Sequence, residues 1–205
     1  LRQELKSAVE MQRSLLPAEI NEAQLTTAWH YQPSSQLGGD AFSYEMTDNS
    51  FTFYMLDVAG HGTAAAMESV ALQHLLVNHN FKQPAAVCRQ MNQSYVYRQD
   101  PLRYFTMLCG HIDLTTGLVT LCQAGHPDSL LWQKETQRVV QPGLNGFPIG
   151  LLDSADYQEQ KFLLGPGDRL LFISDGLADQ DENPLADILR EYASADLATA
   201  RDRKS

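Results

Sequence analysis

Long apolar runs are missing from these 205 residues: no stretch approaches the roughly 20 residues that a membrane-spanning helix needs. The opening segment, LRQELKSAVEMQRSLLP, also lacks the apolar core of a secretory signal. A cytoplasmic protein with no membrane partner is expected. Positive charge is scarce as well. Fifteen Lys and Arg against 25 Asp and Glu leave a formal net charge of -10, with no basic stripe, so a nucleic-acid partner is not expected. Cysteine is sparse: Cys88, Cys109 and Cys122 are odd in number and unpaired by any CxxC spacing, which argues against disulfides and zinc and for buried small hydrophobes. What remains is the composition of a soluble globular chain, long enough for one domain with a substantial core.

The organising stretch is FTFYMLDVAGHG, Phe51 to Gly62. Phe51, Phe53 and Met55 on one face and Tyr54, Leu56 and Val58 on the other predict a central strand covered on both sides. It ends on Asp57, whose carboxylate in such a setting needs either a compensating cation or a role as cap for the helix starting near Thr63. Upstream, Leu37-Gly38-Gly39-Asp40 allows a tight backbone approach beside a second carboxylate, although GGD by itself also reads as an ordinary turn. A hairpin at Thr47 to Ser50 between two strands brings Asp40 and Asp57 to the same end. Downstream, RLLFIS (Arg169 to Ser174) repeats the pattern of an apolar strand ending on an acid, Asp175.

Other elements follow from periodicity. Residues 1–16 read as a helix with Leu1, Leu5, Ala8, Val9, Gln12, Leu15 and Leu16 on one stripe. Thr27, Trp29 and Tyr31 alternate as in a half-buried strand over 24–32. A helix from Thr63 to about Asn80 has Met67, Val70, Ala71, Leu75 and Val77 as its apolar face, and Pro84 opens another with Val87, Met91 and Tyr95 aligned. Strands are expected at 104–113 and 118–124, joined by the LTTG turn, and at 129–133, 157–164 and 169–174; a last helix is expected at 183–194.

Asp40, Asp57 and Asp175 at neighbouring strand ends cannot all stay ionised without a cation. An all-oxygen donor set suits magnesium or manganese rather than zinc, and two such ions suit phosphoryl chemistry. With nucleic acid excluded, a phosphoprotein or small phosphate ester is the expected substrate. A nucleotide cyclase, suggested by GGD, fits poorly, because Ala41 stands where another acid is needed.

These pieces resemble the bacterial SpoIIE/RsbU branch of the PPM (type 2C-like) metal-dependent protein serine/threonine phosphatases. The resemblance rests on A-x-x-x-Q-x-x-L-L-P (Ala8 to Pro17), GGD (Gly38 to Asp40), DVAGHGTAAAM (Asp57 to Met67), FTML (Phe105 to Leu108), AGHP (Ala124 to Pro127), PIGL (Pro148 to Leu151) and PGDRLLFISDGLAD (Pro166 to Asp179), in that order. It implies an α+β fold, two packed antiparallel β-sheets flanked by helices in an α-β-β-α sandwich. It implies a helical linker or switch segment over 1–17 and a phosphatase domain over 18–205. It also implies two Mn2+ or Mg2+ ions, bridged by Asp57, with Asp40 and Asp175 each ligating one and the Val58 carbonyl joining one shell. The implied substrate is a phosphoprotein, an anti-sigma-factor antagonist, with an upstream sensor or receiver domain in the same chain and a homodimer through the first helix. Ser43 stands where many members carry another Asp, as in other SpoIIE-like sequences. His61 and His126 are read as turn histidines outside the catalytic set. The closing acidic pair and final strand of the family are not recognisable before Ser205, Asp202 being the sole late acid near that position, so a catalytically silent partner-binding domain is the alternative expectation.

Overall fold

The structure is a computed structural model. It describes residues 2–33, 36–95, 103–143, 145–178 and 189, so the helix expected at 183–194, residue 189 apart, and the closing segment with Asp202 lie outside the described residues. Its elements are α1 (Arg2–Ser14), β1 (Ala41–Thr47), β2 (Ser50–Val58), α2 (Thr63–Leu76), α3 (Pro84–Ser94), β3 (Phe105–Asp113), β4 (Leu118–Ala124), β5 (Leu130–Gln133), β6 (Arg138–Val140), β7 (Gln160–Leu163), β8 (Arg169–Leu171) and α4 (Asp175–Ala178). They build two wholly antiparallel sheets, ordered β1-β2-β3-β4-β7 and β6-β5-β8. The expected α+β class with two antiparallel sheets is the observed one.

The period-two alternation of β2 explains why it lies inside the larger sheet. Tyr54, Leu56 and Val58 enter one apolar cluster with Ala65, Leu72 and Leu76 of α2, Val87, Cys88 and Met91 of α3, and Phe105, Met107 and Cys109 of β3. Phe51 and Phe53 enter a second cluster with Leu108, Ile112, Val119 and Leu121, against which Phe172 packs. The Phe53 and Phe172 rings stack at 4.9 Å between centroids, which ties the smaller sheet to that face. Each fully buried side chain of this size contributes about 2 kcal/mol of transfer free energy, so the two faces of one strand anchor three layers. The β1–β2 hairpin closes over Asp48 and Asn49 between the paired Thr47 and Ser50. The cysteines are free and buried, as expected, and desolvation raises the Cys109 thiol above its ordinary pKa.

Several local expectations are corrected. Residues 24–32 form no strand; Asn21 and Thr26 make one isolated bridge, and Thr27 is held by the Ile20 backbone and the Tyr44 hydroxyl instead. The buried face of α2 is Ala65, Ala66, Ser69, Leu72 and Leu76, while Met67, Leu75 and Val77 are exposed. Small residues let the helix sit closer to the sheet than the larger ones would allow. The strand before Asp175 ends at Leu171, because Phe172 turns to stack on Phe53; Asp175 therefore opens α4. β6, too short and polar-flanked for a periodic signal, was not anticipated.

Candidate metal centre

The hairpin register pairs Ala41 with Leu56, which sets Asp40 one step further on, opposite Asp57. Opposed residues of an antiparallel pair share a face, so both acids belong to the face carrying Phe51 and Phe53. Thr106 pairs with Asp57 across β2 and β3 and belongs to it too. The chain leaving β8 supplies Ser174 and Asp175 to the same place. Asp57 lies between the others: the charges of both Asp40 and Asp175 act on its carboxyl, and the Ser174 side chain comes beside Asp40. Of the residues singled out from sequence, Asp40, Asp57 and Asp175 are thus brought together. The cap reading of Asp57 is overturned, because Gly62 occupies the N-cap position of α2 without any side-chain capping bond.

Electrostatics follow from that crowding. Burial, then the charges of Asp40 and Asp175, and then hydrogen bonds with both push the Asp57 carboxyl up to about 7. Asp40 is raised too, chiefly by burial, with the Ser174 bond opposing and the Asp175 charge adding to it. Without a cation Asp57 and Asp40 hold their protons to higher pH than ordinary carboxyls do.

The Val58 carbonyl lies at the same strand end, and the GGD segment packs against it. A Cβ added to Gly39 would stand 2.9 Å from the Val58 carbonyl oxygen and 3.3 Å from Ala65 Cβ, so only glycine permits this approach. His61 is exposed on the loop before α2. His126, in the turn after β4, is 1% exposed, its Nδ1 lies 2.9 Å from Thr106 Oγ1, and burial pushes its ring pKa down to about 4. Ser174, Thr106 and Gln12, whose amide meets Gly38, were missed as parts of this neighbourhood. The available signal for Gln12 was a polar residue in an otherwise apolar stripe.

The donor set fits a hard divalent ion. All the convergent groups are oxygen atoms, and Asp40 Oδ1 is buried and accepts no hydrogen bond, a costly state that a cation relieves. Among the described residues no group of three or more His, Cys, Asp or Glu side chains is arranged as a ready-made cage.

Two antiparallel sheets with helices outside, and acids gathered at the strand ends, define a domain of the PPM, or PP2C-like, phosphatase class. Residues 47–205 match the family model for Stage II sporulation protein E (SpoIIE), and the chain belongs to that family, in the SpoIIE/RsbU branch. It is 25% identical to phosphoserine phosphatase RsbP of Bacillus subtilis (strain 168) over 98% of its own length and 52% of that protein's. The chain spans about half the length of the curated relatives it matches. Its fold is that of the SiaA-PP2C domain of Pseudomonas aeruginosa (TM-score 0.76, 19% identity, covering 98% of this chain and 86% of that one). RsbX, solved in complex with magnesium, is also similar (TM-score 0.65, 17% identity, covering 82% and 78%). No described helix is long and apolar enough to cross a membrane.

Proposed function

We propose that this chain is a manganese- or magnesium-dependent phosphatase domain acting on phosphoserine or phosphothreonine of a regulatory protein in the cytoplasm. The observation that carries the reading is the position of Asp57 between Asp40 and Asp175. In this reading Asp57, Asp40, Asp175 and the Val58 carbonyl would hold the two ions, with Asp57 as the shared ligand. When bound, such ions acidify water and neutralise the transferring phosphoryl group. The chain's own part is to concentrate carboxylate oxygens, to keep Asp40 desolvated, and to fix Asp57 through the β1–β2–β3 register. The 1–17 segment is the linker of this proposal, and the substrate class is a phosphorylated anti-sigma-factor antagonist; the likeness to a phosphoserine phosphatase supports a phosphoserine substrate. An upstream sensor or receiver domain and a homodimer through α1 belong to the same proposal.

The test is phosphate release from a phosphoserine protein with manganese, for the full-length protein and its Asp57→Ala variant. Activity that depends on metal and disappears in the variant is expected; no metal-dependent activity in the wild type overturns the enzyme reading. The second reading, a catalytically silent partner-binding domain, is favoured by the lack, among the described residues, of a ready-made cage of three or more such side chains. Calorimetric titration separates the two, because tight manganese binding abolished by Asp175→Ala counts against silence.

A further inference from the structure

α1 contributes one buried polar side chain, Gln12, which is 8% exposed, while its neighbour Met11 faces solvent. The Gln12 amide is spent entirely on one residue of the GGD segment. Nε2 donates to the Gly38 carbonyl at 2.7 Å, and Oε1 accepts from the Gly38 N–H at 3.2 Å. A primary amide paired with both polar groups of one residue removes rotation as well as translation from that stretch of backbone, which two unrelated bonds would not do.

The opposite side of the segment is equally confined. A Cβ at Gly38 would lie 2.9 Å from Pro33 Cβ and 3.0 Å from Tyr31 Oη. Tyr31 Oη in turn donates to the Asp40 carbonyl at 3.4 Å. Gly39 abuts Val58 and Ala65, and Leu37 is buried. Between Leu37 and Asp40 the backbone is therefore wedged between β2 and α2 on one side and Gln12 on the other. No comparable bond from α1 reaches β2 or β3 among the described residues.

We propose that Gln12 is a positioning residue: its amide clamps the Gly38 backbone and so presents Asp40 to the Asp57–Asp175 pair in a metal-ready place. The proposal rests on the metal-centre reading above. It makes α1 part of the site's scaffold, since the helix can leave the domain only by releasing Gly38.

The test uses the full-length protein and two readouts: manganese affinity by calorimetry, and amide exchange of residues 36–42 in chelator without metal. Gln12→Leu keeps the volume and removes both bonds. It is expected to weaken manganese binding roughly tenfold to hundredfold, the usual effect of removing a partner that orients a ligand, and to speed exchange in 36–42 but not in 105–113. Trp29→Phe, which removes the bond from Trp29 Nε1 to the Pro17 carbonyl at the exit of α1, is expected to change neither. Manganese affinity within about twofold of wild type in Gln12→Leu, with unchanged exchange, overturns the proposal. If that variant does not fold, Gln12→Glu, which keeps the acceptor but sets an oxygen against the Gly38 carbonyl, decides by the same readouts. A wild type that binds no manganese defeats the metal-centre reading, while exchange in 36–42 still decides whether Gln12 holds the segment.

Discussion

Replacing Asp57 by Asn should make the metal-free protein more stable at alkaline pH while removing its affinity for manganese. The folded carboxyl holds its proton up to about pH 7, whereas the unfolded chain releases it in the ordinary range near 4. The folded state then binds more protons between those limits, so stability is present below the lower value and lost as pH rises through the upper. Unscreened, that difference is worth about 4 kcal/mol. Asp57 is only partly buried, and solvent screening reduces the effect to about 1–2 kcal/mol. Asn carries no titrating charge beside Asp40 and Asp175. Urea or thermal unfolding in chelator should show Asp57→Asn roughly 3–6 °C above wild type at pH 8, with the gap closing at pH 5. Saturating manganese reverses the order, because an ion at a hundredfold its Kd adds about 2.7 kcal/mol to the wild type alone. A variant no more stable than wild type at pH 8, or a gap independent of pH, would refute the reasoning.

His126 should contribute in the opposite sense. Its ring is held neutral to about pH 4 in the fold, so its stabilisation is present at neutral pH and lost as pH falls from about 6.5 toward 4; His126→Gln should flatten the acid limb of a chemical-denaturation profile. Gly39→Ala forces a Cβ against the Val58 carbonyl, and a loss of about 1–3 kcal/mol with weakened manganese binding is expected from unfolding and calorimetry. Asn92, 3% exposed, donates to the Leu152 carbonyl at 3.0 Å and accepts from the Gly150 N–H at 2.8 Å. Asn92→Ala leaves these groups unpaired and should cost about 1–3 kcal/mol in urea unfolding.

Much of the layout was legible in local pattern. Strict alternation in β2, the Thr47–Ser50 hairpin and the LTTG turn depend on neighbouring residues, and the structure agrees with them. The side of α2 that packs was not legible: hydropathy selects Met67 and Leu75, but closeness to the sheet selects Ala65, Ala66 and Ser69. The alternation around Trp29 misled for a related reason. A strand needs a partner edge, and this segment instead spends its hydrogen bonds on Ile20, Glu19 and Tyr44.

For the centre itself, sequence by itself determined the chemical inventory: three aspartates at the ends of apolar runs, glycines beside two of them, and no soft ligands. It could do so because residue type and local period are properties of the chain alone. Only the tertiary structure decided that Asp57 is the middle member, that Ser174 comes beside Asp40, and that Gln12 grips Gly38 from α1. These depend on register and packing between segments distant in the chain, where an offset of one residue along a strand would turn an acid to the opposite face.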